Sequence, residues 1–131
     1  MIKWEERYST GDESVDRQHR FLFEMFNDFE ATILEGRGRS YLETSFPLLE
    51  AYAQAHFKFE EDCMDRHQSS VARENKEQHR VFVAQVEKFK KELHSVQFDD
   101  GLIIKVHHFL EKWIIEHIIG VDTRLKFSIK K

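Results

Sequence analysis

The sequence predicts an all-α protein: an antiparallel up-down-up-down four-helix bundle preceded by an N-terminal arm. Four segments carry apolar residues at spacings of three and four, the period of one helix face. The chain has only 5 Gly and 1 Pro, so long helices can run uninterrupted. The connections between the four segments are short, as antiparallel neighbours in a bundle require.

The 131 residues are enough for a single domain with its own core. We expect an arm over residues 1–15, helices over roughly 16–36, 41–65, 70–94 and 100–119, and a short C-terminal segment. In the arm, Ser9-Thr10-Gly11-Asp12 is a turn signal, and Trp4 and Tyr8 are expected to cover one end of the core.

The first predicted helix begins near Ser14 or Asp16, either of which can cap its amino end. It stops at Gly36-Arg37-Gly38. The second begins between Ser40 and Ser45, because Pro47 is tolerated only near a first turn or else kinks the helix. The expected inward faces are His19, Leu22, Met25, Phe26, Phe29 and Ile33 on the first helix, and Leu49, Tyr52, His56, Phe59, Glu60 and Cys63 on the second.

The third and fourth helices repeat this pattern, with polar residues on otherwise apolar stripes. Their inward faces are Asn75, His79, Phe82, Val86, Phe89 and Leu93 on the third, and Ile103, Val106, Leu110, Trp113 and His117 on the fourth. In an antiparallel bundle, the start of helices one and three meets the end of helices two and four. The inward polar residues of all four helices therefore come to the same end.

Four histidines and two carboxylates exceed what one tetrahedral structural zinc site needs. They suit two metal ions about 3.5 Å apart in a bundle core. His117 and Asp122 are five residues apart, which puts them out of phase on a regular helix. We expect the helix to loosen or end near Gly120, by a π-bulge or a terminal turn, so that both can reach one site.

Composition narrows the function classes. The net charge of -4 and the lack of a basic stripe argue against nucleic acid as a partner. The single Cys63 fits a reducing compartment. No apolar run is long enough for a signal peptide or a bilayer span, so no membrane insertion is expected. A cytoplasmic monomer is the expected form.

Four motif segments together resemble the hemerythrins, particularly their bacterial single-domain members, over essentially the whole chain from Trp4 to Asp122. The segments are Asp16-x-Gln18-His19, His56-x-x-x-Glu60-Glu61-x-x-Met64, His79-x-x-Phe82 and Trp113-x-x-x-His117-Ile118-x-x-x-Asp122.

The resemblance implies two non-heme iron ions, bridged by carboxylates, that bind O2 reversibly. The implied ligands are His19 and His56 for one iron, His79 and His117 for the other, and Glu60 and Asp122 as bridges. The implied walls of the O2 pocket are Leu22, Phe57, Trp113, Ile114 and Ile118.

One position departs from the family pattern: Asn75 stands where the family has a histidine, and Ser69-Ser70 replaces the usual Tyr-Pro before it. An amide oxygen is a weaker iron ligand than imidazole. Asn75 is a candidate ligand, a donor to the ligands, or a neighbour of an open position. Three hypotheses follow: weaker metal occupancy, faster oxidation, or a site adapted to redox chemistry. We favour two irons that assemble but hold O2 less well.

Two function classes stay open. The chain is an O2-binding protein (carrier, store or delivery partner of an oxygenase or redox protein), or it is a di-iron redox enzyme or a sensor of O2, iron or redox state. We see no general acid or base for an enzyme, since Glu116 is expected to face away from the site. In a third alternative the bundle has only a structural role, its site is inactive, and it binds no metal. The other polar candidates, expected to be solvated or inert, are His67, His94, His107, His108, Glu61, Asp62 and Cys63.

Overall fold

The structure is a computed structural model that describes residues 2–94, 100–120 and 122–127. It is an all-α bundle, as the sequence predicts. Five α-helices lie in the described residues: α1 (Glu13–Leu34), α2 (Gly38–Thr44), α3 (Phe46–Arg66), α4 (Ala72–Leu93) and α5 (Asp100–Trp113). A π-helix, Ile114–Ile119, continues α5, and two short 3-10 helices are Glu6–Tyr8 and Asp122–Phe127. The last residues of the predicted C-terminal segment lie outside the described residues.

The first helix begins earlier than predicted because its cap is Asp12, not Ser14 or Asp16. The Asp12 carboxylate accepts a hydrogen bond from the backbone N–H of Val15 at 2.9 Å. Asp16 is instead buried, and it accepts hydrogen bonds from the side chains of Ser9 (2.6 Å) and Thr10 (2.8 Å). These bonds fasten the N-terminal arm to α1.

The predicted second helix, 41–65, is wrong as a single element. The structure has two helices, α2 and α3, with Ser45 between them. Pro47 lies in the first turn of α3, where its missing N–H removes no intrahelical bond. Phe59 is also a correction: it is 37% exposed rather than inward, because it lies roughly 100° around α3 from Glu60, which is buried.

The end of the bundle away from the polar residues is packed with rings and branched chains. Phe29 stacks on Tyr41 with ring centroids 4.7 Å apart. The Tyr41 hydroxyl donates to the backbone carbonyl of Met25 at 3.2 Å. Gly38 lies so close to α5 that a Cβ there would approach Ile103 Cγ2 to 2.9 Å. This close packing seats α2 against the bundle.

The π-helix confirms the expected change in helix geometry near Gly120. A Cβ on Gly120 would lie 2.5 Å from the carbonyl oxygen of Glu116, so glycine permits the tight helix end. The wider turn brings both His117 and Asp122 to the core. Among the described helices, none is both long enough and apolar enough to cross a bilayer.

Candidate metal centre

The predicted polar residues converge at one end of the bundle, and all of them are buried. They come from α1, α3 and α4 and from the segments that follow α5. The set is His19 on α1, His56 and Glu60 on α3, Asn75 and His79 on α4, His117 on the π-helix and Asp122 on the last 3-10 helix. Burying so many polar groups is costly unless each finds a partner.

One half of the centre contains His19 and His56. The Nε2 atom of His19 lies 2.8 Å from Glu60 Oε2 and 3.2 Å from Asp122 Oδ2. The Nε2 atom of His56 lies 3.3 Å from the same Glu60 oxygen. Two imidazole nitrogens and two carboxylate oxygens therefore face one point.

The other half contains His79 and His117, and it uses the remaining oxygen of each carboxylate. His79 Nε2 lies 3.1 Å from Glu60 Oε1, and His117 Nε2 lies 3.2 Å from Asp122 Oδ1. The two Nε2 atoms are 3.0 Å apart. Each carboxylate thus directs one oxygen to each half, the arrangement that a bridging carboxylate has between two cations.

Two observations and the chemistry of the donor atoms indicate that these residues could bind cations. His56 Nε2 and Asp122 Oδ2 are buried without a hydrogen-bond partner in the part of the chain that the structure describes. Each group of His, His, Glu and Asp has ligand atoms that lie within 4.8 Å of one another. Imidazole nitrogen and carboxylate oxygen together suit iron. The residues of both halves therefore fit non-heme iron.

Burial keeps two of the histidines neutral, the form of imidazole that can bind a cation. Burial lowers the pKa of His117 to about 4 and also lowers the pKa of His56, so both are neutral at pH 7. Burial would raise the pKa of Glu60, but the surrounding histidines outweigh it and lower the pKa. The pKa of Asp122 is raised, first by burial and then by the neighbouring Glu60 charge.

Two glutamines orient two of the histidines, a role that the sequence did not predict for either, although Gln18 belongs to a quoted motif. His56 Nδ1 donates to the side-chain carbonyl of Gln18 at 2.6 Å, and His117 Nδ1 donates to that of Gln78. Because Nδ1 carries the proton, Nε2 presents its lone pair to the centre. A repeated Gln-His pair was the available signal: Gln18 precedes His19 and Gln78 precedes the histidine of α4. Each glutamine serves the histidine of a neighbouring helix.

Glu61 was expected to be solvated, and this is wrong. Its carboxylate accepts a hydrogen bond from His79 Nδ1 at 3.2 Å, with the Glu61 side chain 30% exposed. The two consecutive glutamates therefore contact the same imidazole at different nitrogens, Glu60 at Nε2 and Glu61 at Nδ1.

Asn75 lies in the half of the centre that contains His79 and His117. Its amide nitrogen is 2.8 Å from Glu60 Oε1, within hydrogen-bond distance of Asp122 Oδ1, and 3.4 Å from His117 Nε2. Its amide oxygen is buried and has no partner among the described residues.

The five expected pocket residues do not all line one cavity. Leu22, Trp113 and Ile114 line an apolar cavity of about 20 Å³. Phe57 and Ile118 are buried outside its lining, and Phe57 stacks on the His79 ring at 3.9 Å between centroids. The structure thus brings three of the five to one cavity.

The remaining candidates lie away from the centre. His107 was expected to be solvated, but it is half-buried and lies 3.0 Å from Glu30, between α5 and α1. Cys63 is buried, and its thiol donates to Asp12 at 3.5 Å. Burial and the Asp12 charge raise the pKa of Cys63 to about 11, which fits the expected inert thiol. His67 lies near these two residues rather than in either half of the centre.

Comparison with known proteins agrees with this geometry. A family model described as "Hemerythrin HHE cation binding domain" matches residues 10–126. A bacteriohemerythrin of Stenotrophomonas maltophilia is 23% identical over 99% of this chain and 82% of its own length. A bacteriohemerythrin of Clostridium acetobutylicum is 27% identical over 93% of this chain and 96% of its own length. A hemerythrin-like protein of Naegleria gruberi is 28% identical over 95% and 91%.

Proposed function

Since the chain belongs to the hemerythrin family and carries its non-heme iron-binding domain, we propose that it holds two iron ions and binds O2 at them. The observation that carries the proposal is the division of carboxylate oxygens, one from Glu60 and one from Asp122 to each half. When bound, iron supplies the electrons and the open coordination position that O2 requires.

The chain's own residues hold and orient the ions. In this proposal His19 and His56 serve one ion, while His79 and His117 serve the other. Gln18 and Gln78 fix the tautomer and ring angle of one histidine in each half. Because these histidines come from α1, α3, α4 and the π-helix that continues α5, metal binding also joins those elements at one end.

Apolar residues limit the access of water to the centre. Trp113 stacks on the ring of His117 at 4.4 Å between centroids, and Phe57 covers His79 in the same way. Outside this layer, an open cavity of about 340 Å³ reaches Trp113 and His117 from the surface. A small neutral molecule such as O2 can approach here, while the rings exclude most water.

Binding is favoured over catalysis because the titratable groups nearest the apolar layer, Lys112 and Glu116, line the open cavity and are exposed to solvent rather than buried beside the centre. Glu116 faces solvent, as the sequence predicts, and Glu60 and Asp122 are occupied as bridges in this proposal. The second candidate function is a redox enzyme or sensor. The amide of Asn75 favours it, because a half of the centre with one fewer imidazole holds its ion less firmly.

Anaerobic loading with Fe(II), followed by absorption spectra through cycles of O2 addition and removal, tests the proposal. We expect two irons per chain at saturation and an absorption change that reverses when O2 is removed. The Glu60→Ala variant, which lacks one bridge, should show neither. An irreversible change would favour the redox alternative. A ratio near one iron per chain would contradict the two-iron centre, and no iron at all would indicate an inactive site.

A further inference from the structure

Asn75 makes the two otherwise matched halves of the centre unequal. Each half has two histidines and one oxygen from each carboxylate. Only the His79–His117 half also contains a side-chain amide, whose nitrogen is 2.8 Å from Glu60 Oε1 and bonded to Asp122 Oδ1. These are the two oxygens that the second ion would use.

The orientation of the amide follows from its neighbours. Carboxylate oxygens accept hydrogen bonds, so the NH2 group of Asn75 must face them and its oxygen must face away. That oxygen is fully buried and unpartnered among the described residues. The side chain is therefore held through its nitrogen, and the nitrogen holds Glu60 and Asp122 together.

A hydrogen-bond donor and a cation compete for the same oxygen lone pairs. Bonds between an amide and a carboxylate are charge-assisted, and in a buried site they are stronger than in water. A cation entering the second half must displace both of them. A cation entering the His19–His56 half uses Glu60 Oε2 and Asp122 Oδ2. His19 Nε2 lies 2.8 Å from that Glu60 oxygen, but an imidazole can carry its proton on Nδ1 and leave Nε2 free to bind the cation, whereas the NH2 group of Asn75 keeps both of its protons.

We propose that Asn75 makes iron loading sequential: the His19–His56 half fills first, and the His79–His117 half fills only at higher iron concentration because the Asn75 amide holds its carboxylate oxygens. The proposal rests on the two-iron function above and adds a regulatory property to it. The fraction of chains with a complete centre, and hence the capacity for O2, follows the supply of Fe(II).

Native mass spectrometry during anaerobic titration of the full chain with Fe(II) tests the proposal, because it counts ions per chain at each step. We expect the one-ion form to dominate at one equivalent, with the second ion binding about tenfold or more weakly than the first. Asn75→His should bring the two steps together. Asn75→Ala, which removes the donor without adding a ligand, should also narrow the gap.

Two further variants identify the halves. His79→Ala should remove the weak step and leave the tight one, whereas His56→Ala should remove the tight step. Asn27→Ala is the matched control: Asn27 bonds the backbone of Ile2 in the arm, so its loss should leave both steps unchanged. Thermal unfolding of each metal-free variant checks that it folds, and Asn75→His carries the test if Asn75→Ala does not.

The outcomes separate this proposal from the proposed function. Two ions that bind wild type in one step, with reversible O2 binding, would overturn sequential loading alone. An unchanged gap in both Asn75→His and Asn75→Ala would also overturn it. One ion at most in every variant, Asn75→His included, would instead contradict the two-iron centre itself.

Discussion

The two ends of the bundle have opposite compositions. At one end, the fully buried side chains described on α1, α2, α3 and α5 are apolar or aromatic, and Phe29 and Leu42 are at most 1% exposed there. At the other end, equally buried positions hold imidazoles, carboxylates and an amide. Apolar burial stabilises the fold directly, at about 25 cal/mol per Å². Polar burial costs stability unless each group is paired.

The residues expected to stabilise the fold and the residues of the candidate metal centre therefore lie at opposite ends of the bundle. The apolar end can hold the helices in place whether or not metal is bound. The polar end can then keep Nε2 atoms and carboxylate oxygens close together, an arrangement that would not hold itself together in water. Three predictions test this separation, from the largest expected effect to the smallest.

Phe29→Ala should reduce the free energy of unfolding by about 3–5 kcal/mol, because it leaves a cavity at a fully buried site beside Tyr41. Urea unfolding of the metal-free chain measures the loss. Leu34→Ala, at a position that is 83% exposed on the same helix, is the control and should change stability by no more than about 0.5 kcal/mol. If the folded Phe29→Ala chain also lost iron affinity, the two ends would not be separate.

Acid should destabilise the metal-free protein through its polar end. The folded chain holds the pKa of His117 at about 4, below its ordinary value of 6.5, so the unfolded chain takes up the proton first as pH falls. The stability that neutral His117 preserves is therefore fully present above pH 6.5 and is lost as pH falls toward 4, by roughly 3 kcal/mol.

Urea unfolding at a series of pH values checks this. The slope of stability against pH between 4 and 6.5 should be smaller in His117→Gln than in wild type. The Phe29→Ala chain should keep the wild-type slope, since that change lies at the apolar end. Equal slopes in His117→Gln and wild type would show that other groups dominate the acid response.

The smallest effect is expected from the glutamines that orient the histidines. Gln18→Ala should lower the affinity for iron in the half that contains His56, and Gln78→Ala should lower it in the half that contains His117. We expect a loss of about 10–100-fold in each case, with little change in the free energy of unfolding. Competition with a chelator for Fe(II) measures both affinities. Gln54→Ala, an exposed glutamine on α3, should change neither. Equal affinities in all four proteins would mean that packing alone orients the rings.

Much of this architecture could be predicted because the informative residues are periodic. His56 and Glu60 are four apart and Asn75 and His79 are four apart, so each pair shares a helix face whatever the rest of the chain does. The antiparallel path then determines which ends meet. The structure confirms that these polar residues converge, while their roles as metal ligands stay predictions.

The parts that could not be predicted depend on contacts between helices. The residues around Gln18 in the sequence do not predict that its side chain contacts His56, because that contact depends on how α1 packs against α3. The break at Ser45 was also hidden, since α2 is defined by its packing against α1, α3 and α5 rather than by a strong stop signal. The donor role of Asn75 required the positions of both carboxylates.

The π-helix at Ile114–Ile119 makes the centre depend on a count of residues as well as on their identities. It accommodates more residues per turn than an α-helix does, and this is how His117 and Asp122 reach the same point. Deleting a single residue such as exposed Ile115 would rotate everything after it by roughly a quarter turn or more. Such a chain would be almost identical in sequence, yet its last carboxylate would point out of the bundle. The proposed metal centre therefore depends on the number of residues between Trp113 and Asp122 as well as on the identity of the proposed ligands.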